Sequence, residues 1–221
     1  MSPAPQGGPV LPYAALILGA GRSSRMGASK PLLPLAGQTL IERVVGLFKG
    51  VGVGQIVVVL GHEAGQLLPL LGRLGVVPVV NPRYDEGMFT SVQAGVGRLD
   101  RDCRAFFLLP VDIPLVGPGT LHALAEAFQK MGVDVCRPVF QGRYGHPPLI
   151  AATLIPAILD FDGAGGLRAL LARYRDRTAD VAVEDPGILM DLDTREDYEA
   201  ALKILADPGQ NPPASGCPGP R

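Results

Sequence analysis

The stretch that most constrains this chain is an apolar run, Ala14 to Leu18, stopped by Gly19 and followed by a short glycine-rich basic segment that ends at Lys30. A run of this length cut off by glycine reads as a buried strand, so the segment after it starts at the strand's carboxyl edge, where open α/β sheets bind ligands. Gly19, Gly21 and Gly27 carry no side chains to keep an anion from backbone N–H groups, and Arg22, Arg25 and Lys30 supply positive charge. That chemistry suits a polyphosphate. A P-loop is excluded, because no Gly-Lys pair occurs here. A dinucleotide fingerprint fails too: Ser24 stands where a third glycine is needed, and Glu42, at the spacing of the ribose-binding acid, falls in the first turn of a helix.

The rest of the chain repeats the opening alternation of strand and helix. Gln55 to Leu60, Val76 to Val80 and Ala105 to Leu109 are further apolar runs of strand length, and Thr39 with Glu42 forms a capping-box pattern ahead of a helix that buries Leu40, Val44, Leu47 and Phe48. Pro69 is expected to shorten or kink the next helix, and Thr90 and Ser91 lie where a third should begin. Pro118 opens another. Val133 to Phe140 and His146 to Ile150 read as strands around a turn at Gln141 to Arg143, and Thr153 to Leu159 and Gly166 to Tyr174 as helices. Val181 to Val183 and Ile188 to Leu192 read as short strands, and Arg195 to Leu205 as the last helix.

This order predicts a single three-layer α/β/α domain over residues 12–206 with a Rossmann-like, mostly parallel sheet. A length of 221 residues is enough for one such domain. With 47% hydrophobic and 5% aromatic residues, the core is expected to be aliphatic. Residues 1–11 and 207–221, rich in Pro and Gly, are expected to be disordered. A net charge of −1 with scattered Lys and Arg argues against nucleic acid or an anionic membrane as main partner. No apolar run approaches the roughly 20 residues that span a bilayer, and Met1 to Leu11 has no basic residue ahead of an apolar stretch, so it does not read as a signal peptide. Cys103, Cys136 and Cys217 lack a C-x-x-C spacing, against a disulfide framework or zinc knuckle. A reducing cytoplasm is the expected compartment.

Asp112, after a central strand and between Pro110 and Pro114, is placed to hold a divalent cation at the sheet edge, or to cap the following turn. Asp193, on the same side of an extended segment as Asp191, is a second candidate ligand; Asp193 or Thr194 also suits the N-cap of the last helix. His62 stands at the carboxyl edge of the second strand, where it contacts a nucleobase or ribose or faces solvent.

The loop resembles the signature of nucleotidyltransferases that activate small phosphorylated acceptors: Leu18, Gly21, Ser23, Arg25, Met26, Gly27 and Lys30 fill the positions of Leu-x-x-Gly-x-Ser-x-Arg-Met-Gly and its closing lysine. From about Tyr13 to Leu205 the chain is similar to the molybdenum cofactor cytidylyltransferases. The resemblance implies a CTP- and Mg²⁺-dependent transfer of CMP to molybdenum-bearing molybdopterin, with a molybdoenzyme or its chaperone as protein partner. It implies a nucleotide site of Leu18, Gly19, Ala20, Gly21, Ser23, Arg25, Lys30, His62, Asn81, Gly87 and Ser91, with Arg25, Lys30 and Asp112 catalytic and Asp112 and Asp193 holding metal. Gly145-His146-Pro147 resembles an acceptor-side element of the family, and Asp162, Gly163 and Arg168 match part of another, which makes His146 and Arg168 acceptor-binding candidates; local turn packing and a surface salt bridge are their structural alternatives. Guanylyltransferase relatives have two adjacent glycines before the Ser-x-Arg-Met element and the cytidylyltransferases two alanines before one glycine; Gly19-Ala20-Gly21 keeps the middle alanine, which favours CTP. Transfer to a sugar phosphate or another small phosphorylated metabolite, or a non-catalytic nucleotide-binding module, are the alternatives.

Overall fold

The computed structural model describes residues 12–20, 29–61 and 64–206. The two terminal segments, and with them Gly21, Ser23, Arg25 and His62 of the expected site, lie outside the described residues. The strands of the main sheet are β1 (Ala14–Leu18), β2 (Gln55–Leu60), β3 (Val77–Val80), β4 (Ala105–Pro110), β5 (Val135–Phe140), β6 (Arg143–Tyr144), β7 (Leu149–Ala151) and β8 (Thr178–Ala182). Their spatial order is β8-β5-β7-β4-β1-β2-β3, with β6 paired to β5 as a hairpin. Neighbours are parallel from β4 through β1 and β2 to β3, and again between β5 and β8; β7 runs antiparallel to both β4 and β5.

The α-helices are α1 (Leu40–Gly50), α2 (Ala64–Leu74), α3 (Met88–Val96), α4 (Pro118–Met131), α5 (Ile155–Asp160), α6 (Gly166–Ala172) and α7 (Arg195–Ala206). Successive strand residues point to opposite faces. Ala15, Ile17, Val58 and Phe107 therefore pack with α1, α2, α4 and Ala201 of α7, whereas Leu16, Val59 and Leu108 pack with α3, α5 and α6. Every residue of β1 is buried, as a strand covered on both faces requires. Each fully buried Leu, Ile or Val contributes roughly 1.5–3 kcal/mol, so the two cores hold the layers. The mostly parallel three-layer fold is the one expected from the sequence.

Local chemistry fixes the start of α1 and the seating of α3. Thr39 Oγ1 accepts from the Glu42 backbone N–H at 3.3 Å while the Glu42 carboxylate accepts from the Thr39 N–H at 2.8 Å, so the capping box forms. Gly95 lets α3 lie against the sheet: a Cβ there would sit 2.2 Å from Leu16 Cδ1 and 2.8 Å from Val59 Cγ2.

Five expectations are corrected. Helix α2 runs on through Pro69 to Leu74, so the proline does not shorten it. Helix α3 begins at Met88, two residues before Thr90, because Gly87 takes φ 117° and turns the chain into it. Pairing of β7 begins only at Leu149, after Pro147 and Pro148, which cannot donate to a ladder. The apolar residues near Ile188 form no strand: Pro186–Leu189 is a 3₁₀ turn, started by Asp185 accepting from the Gly187 N–H at 3.0 Å. Ile188 and Leu192 are buried by packing against the sheet's first face, so they carry a strand-like apolar pattern without strand pairing. The short strand expected at Val181 starts earlier, at Thr178. Among the described residues no helix is long and apolar enough to cross a membrane.

Candidate active site

The chain runs β1, β2, β3 outward in one direction, and α3 then carries it back to β4 on the other side of β1. The sheet order thus reverses between β1 and β4, and the carboxyl ends of those two strands border the crevice such reversals create. Two backbone bonds fix the strand ends: the Gly19 N–H donates to Val59 O at 2.8 Å and the Val111 N–H to Leu18 O at 3.0 Å. Gly61 is needed here for space, since a Cβ would lie 2.9 Å from the Ala20 carbonyl oxygen and 2.7 Å from Tyr84. That close approach of Gly61 to Tyr84 and Ala20 has no signature in the sequence.

Lys30 lies at this edge, at the head of the 3₁₀ turn Lys30–Leu32. Its ammonium donates to Asp112 Oδ2 at 2.9 Å and to Asp193 Oδ1 at 2.7 Å. The three residues read from the sequence as catalytic lysine and metal ligands therefore meet at one point, although 82 and 163 positions separate Lys30 from the two acids. Asp112 sits in a braced turn: the Ile113 N–H donates to Pro110 O at 3.2 Å, and Arg43 Nε of α1 donates to Pro114 O at 3.0 Å. The Leu192 N–H donates to Asp112 O at 2.8 Å, tying the Asp191–Asp193 segment across the turn. The Arg43 side chain and the Leu192 N–H both act on backbone carbonyls distant in sequence, which is why sequence reasoning missed them.

The two roles considered for Asp193 are now divided. Thr194 Oγ1 accepts from the Asp197 N–H at 3.1 Å and Asp197 Oδ2 accepts from the Thr194 N–H at 2.8 Å, a reciprocal cap on α7. The Asp193 carboxylate is left to face Lys30.

Charge in this group is uneven. Burial would lower the Lys30 pKa, but its bonds to Asp193 and Asp112 outweigh that and hold it above the ordinary lysine value. Burial pushes the Asp191 carboxyl up, and the negative charges of Asp193, Asp112 and Asp197 add to the push. His146 lies close enough for Asp112 and Asp191 to favour its protonation, yet burial dominates and lowers its pKa. Burial thus favours the neutral ring, and Nδ1 is a buried nitrogen with no hydrogen-bond partner among the described residues. The backbone there is fixed by the His146 N–H donating to Ile188 O at 2.9 Å.

Other expected residues are placed differently. Asn81, 2% exposed, donates from Nδ2 to Thr90 Oγ1 at 2.9 Å and Ser91 Oγ at 3.0 Å, and its Oδ1 accepts from the Arg83 N–H at 2.9 Å. Asn81 and Ser91 therefore brace the first turn of α3 beside Gly87. Arg168 is exposed on α6, on the sheet face opposite α1, and has no ion-pair partner among the described residues.

Comparison with known proteins fits this geometry. The chain is 32% identical over 189 residues to the CMP-5'-(3-aminopropyl)phosphonate synthase of Streptomyces rubellomurinus, covering 81% of this chain and 27% of that protein. It is 25% identical over 188 residues to the molybdenum cofactor cytidylyltransferase of Escherichia coli, covering 84% of this chain and 93% of that one. The chain spans only 25–28% of the length of several curated relatives, bifunctional GlmU proteins among them. Among solved structures, a nucleotidyl transferase from Methanothermobacter superposes with a TM-score of 0.76 at 27% identity, over 89% of this chain and 99% of that one. Residues 15–178 match the MobA-like NTP transferase domain, a span that takes in β1, Lys30, Asp112 and His146, and the chain belongs to that family of nucleotidyltransferases.

Proposed function

We propose that this nucleotidyltransferase moves CMP from CTP to molybdenum-bearing molybdopterin and releases pyrophosphate. The observation that carries the reading is the meeting of Lys30, Asp112 and Asp193 at the β1–β4 edge, directly beside the start of the phosphate loop. An acceptor phosphate oxygen forms the new bond to the α-phosphorus as the bond to pyrophosphate breaks. Such a transfer asks for positioning and charge neutralisation rather than a protein nucleophile. The backbone of Gly19 to Gly21 cradles the triphosphate, and Ser23 and His62 complete the nucleotide side. Lys30 and Arg25 neutralise charge on the α-phosphoryl group and the departing pyrophosphate. Leu18, Ala20, Asn81, Gly87 and Ser91 shape the nucleotide side of the crevice, while His146 and Arg168 receive the acceptor.

The donor set suits Mg²⁺. Two carboxylate oxygens converge on one cation with neither His nor Cys between them, which matches a hard ion that takes oxygen ligands. Among the described residues no group of three or more His, Cys, Asp or Glu could hold a metal, so Asp112 and Asp193 would share the ion with phosphate oxygens and water. When bound, Mg²⁺ supplies charge neutralisation on the polyphosphate.

Three features support CTP: Ala20 in the middle of the loop's opening triplet, the Gly87-Met88-Phe89 and Gly145-His146-Pro147 segments, and the cytidylyl chemistry named for two relatives. The phosphonate synthase likeness favours a second reading, CMP transfer to a different small acceptor. Mass spectrometry of the products separates them. Incubation with CTP, Mg²⁺ and either molybdenum-bearing molybdopterin or a panel of small phosphates, phosphonates and sugar phosphates is expected to yield a CMP adduct of molybdopterin. An adduct with a panel member and none with molybdopterin would replace the first reading by the second.

A further inference from the structure

Lys30 holds the position that a divalent cation would need. An ammonium is a compact charge with three donors, and two of them are spent on Asp112 Oδ2 at 2.9 Å and Asp193 Oδ1 at 2.7 Å. These are the same two carboxylates that the proposed function assigns to Mg²⁺, and the inference rests on that assignment. A metal ion on both oxygens and an ammonium on both oxygens cannot coexist, because each fills the same coordination space and their like charges repel. The surroundings permit exchange. Asp193 is 55% exposed on its side chain and opens the pair to solvent, whereas the Lys30 side chain, at 20%, is tucked behind it. The Lys30 backbone is held by its carbonyl, which accepts from the Leu33 N–H at 3.1 Å, and by the buried ring of Pro31. Its four-carbon stem can swing the ammonium away without moving that anchor.

We propose that Lys30 and the divalent cation are alternative occupants of the Asp112–Asp193 pair, so that the free protein closes its own metal site with an internal cation. A polyphosphate bound beside Lys30 offers the ammonium new partners and draws it off the carboxylates. The pair is then released to a metal ion that arrives with, or after, the nucleotide. Lysine exchange thereby couples the two ligands: each favours the other through one side chain. This differs from a lysine that serves only phosphate, which would leave metal affinity in the absence of nucleotide untouched.

The test measures Mn²⁺ binding to the full chain by electron paramagnetic resonance, with Mn²⁺ alone and no nucleotide. Lys30→Met is expected to tighten Mn²⁺ by about tenfold or more, within the usual range of coupling between ligands. Adding Asp193→Asn to that variant is expected to remove the gain. Circular dichroism and a thermal melt check each fold, and Lys30→Gln, with the same expectation, replaces a variant that does not fold. Equal or weaker Mn²⁺ affinity without the ammonium would overturn the proposal, as would a gain that survives Asp193→Asn. Pyrophosphate release from CTP is followed in parallel with the wild-type protein. Normal release with unaltered Mn²⁺ affinity in Lys30→Met would sink the exchange alone; tighter Mn²⁺ binding with no release would sink the transferase reading and leave the exchange standing.

Discussion

Asn81→Ala separates a brace from a ligand contact. The wild-type side chain makes three hydrogen bonds in a site 2% exposed: two donated to Thr90 and Ser91 and one accepted from the Arg83 N–H. At about 1 kcal/mol net for each bond, the loss is about 3 kcal/mol. Two features move that figure in opposite directions. The Arg83 N–H is left without its acceptor, which raises the cost, while Thr90 Oγ1 keeps its own bonds to Arg83 O at 2.7 Å and Gly87 O at 2.9 Å, which limits it. For a chain of this size a loss of 3 kcal/mol corresponds to a Tm lower by roughly 6–12 °C. Urea unfolding and a thermal melt, both without nucleotide, read the effect. A loss under about 1 kcal/mol, together with a tenfold or greater loss of CTP affinity in the folded protein, would refute the brace and put the amide on the ligand.

Three further outcomes follow from the same structure. Lys30→Ala is expected to lower turnover by roughly two to three orders of magnitude, the effect of deleting one preorganised charge-stabilising donor; steady-state rates at saturating CTP check it, and an unchanged rate would remove Lys30 from catalysis. Asp191→Asn is expected to stabilise the metal-free protein at pH 7 by something on the order of 0.5 kcal/mol, the scale of a partly exposed charge interaction. The sign follows from a folded pKa raised above 3.8, largely by burial: the protonated carboxyl is favoured below 3.8, and that contribution is lost as pH rises through the folded value. Melts of both proteins from pH 3 to 8 should therefore converge at the acid end, and a gain that is constant across the range would contradict the cause. Gly95→Val should cost about 1–3 kcal/mol by overpacking against Leu16 and Val59, read by urea unfolding.

How far the sequence could be read depends on whether each signal is local. The β1 run, the Thr39–Glu42 box and the Pro118 helix start are written in neighbouring residues, and the structure has them where the pattern puts them. Lys30, Asp112 and Asp193 could be named as candidates from motif and placement, but their meeting depends on sheet order and on the Leu192–Asp112 backbone bond, neither of which a linear pattern carries. The antiparallel β7 is similarly hidden: three residues after two prolines give no hint that they insert between β4 and β5. Ile188 and Leu192 misled because burial alone produces the apolar spacing of a strand, while the Pro186-Gly187 turn decides the backbone. Asn81 could be named from the sequence as a site candidate, but the Thr90 and Ser91 hydroxyls it donates to become its neighbours only in the fold.

The most direct measurement is pyrophosphate release by the wild-type protein and Asp112→Ala, with Mg²⁺ and molybdenum-bearing molybdopterin, run in parallel with CTP, GTP and ATP. The account predicts release with CTP alone, lost in Asp112→Ala. Release with GTP in place of CTP would contradict the weight placed on Ala20, and release that persists in Asp112→Ala would contradict the site itself.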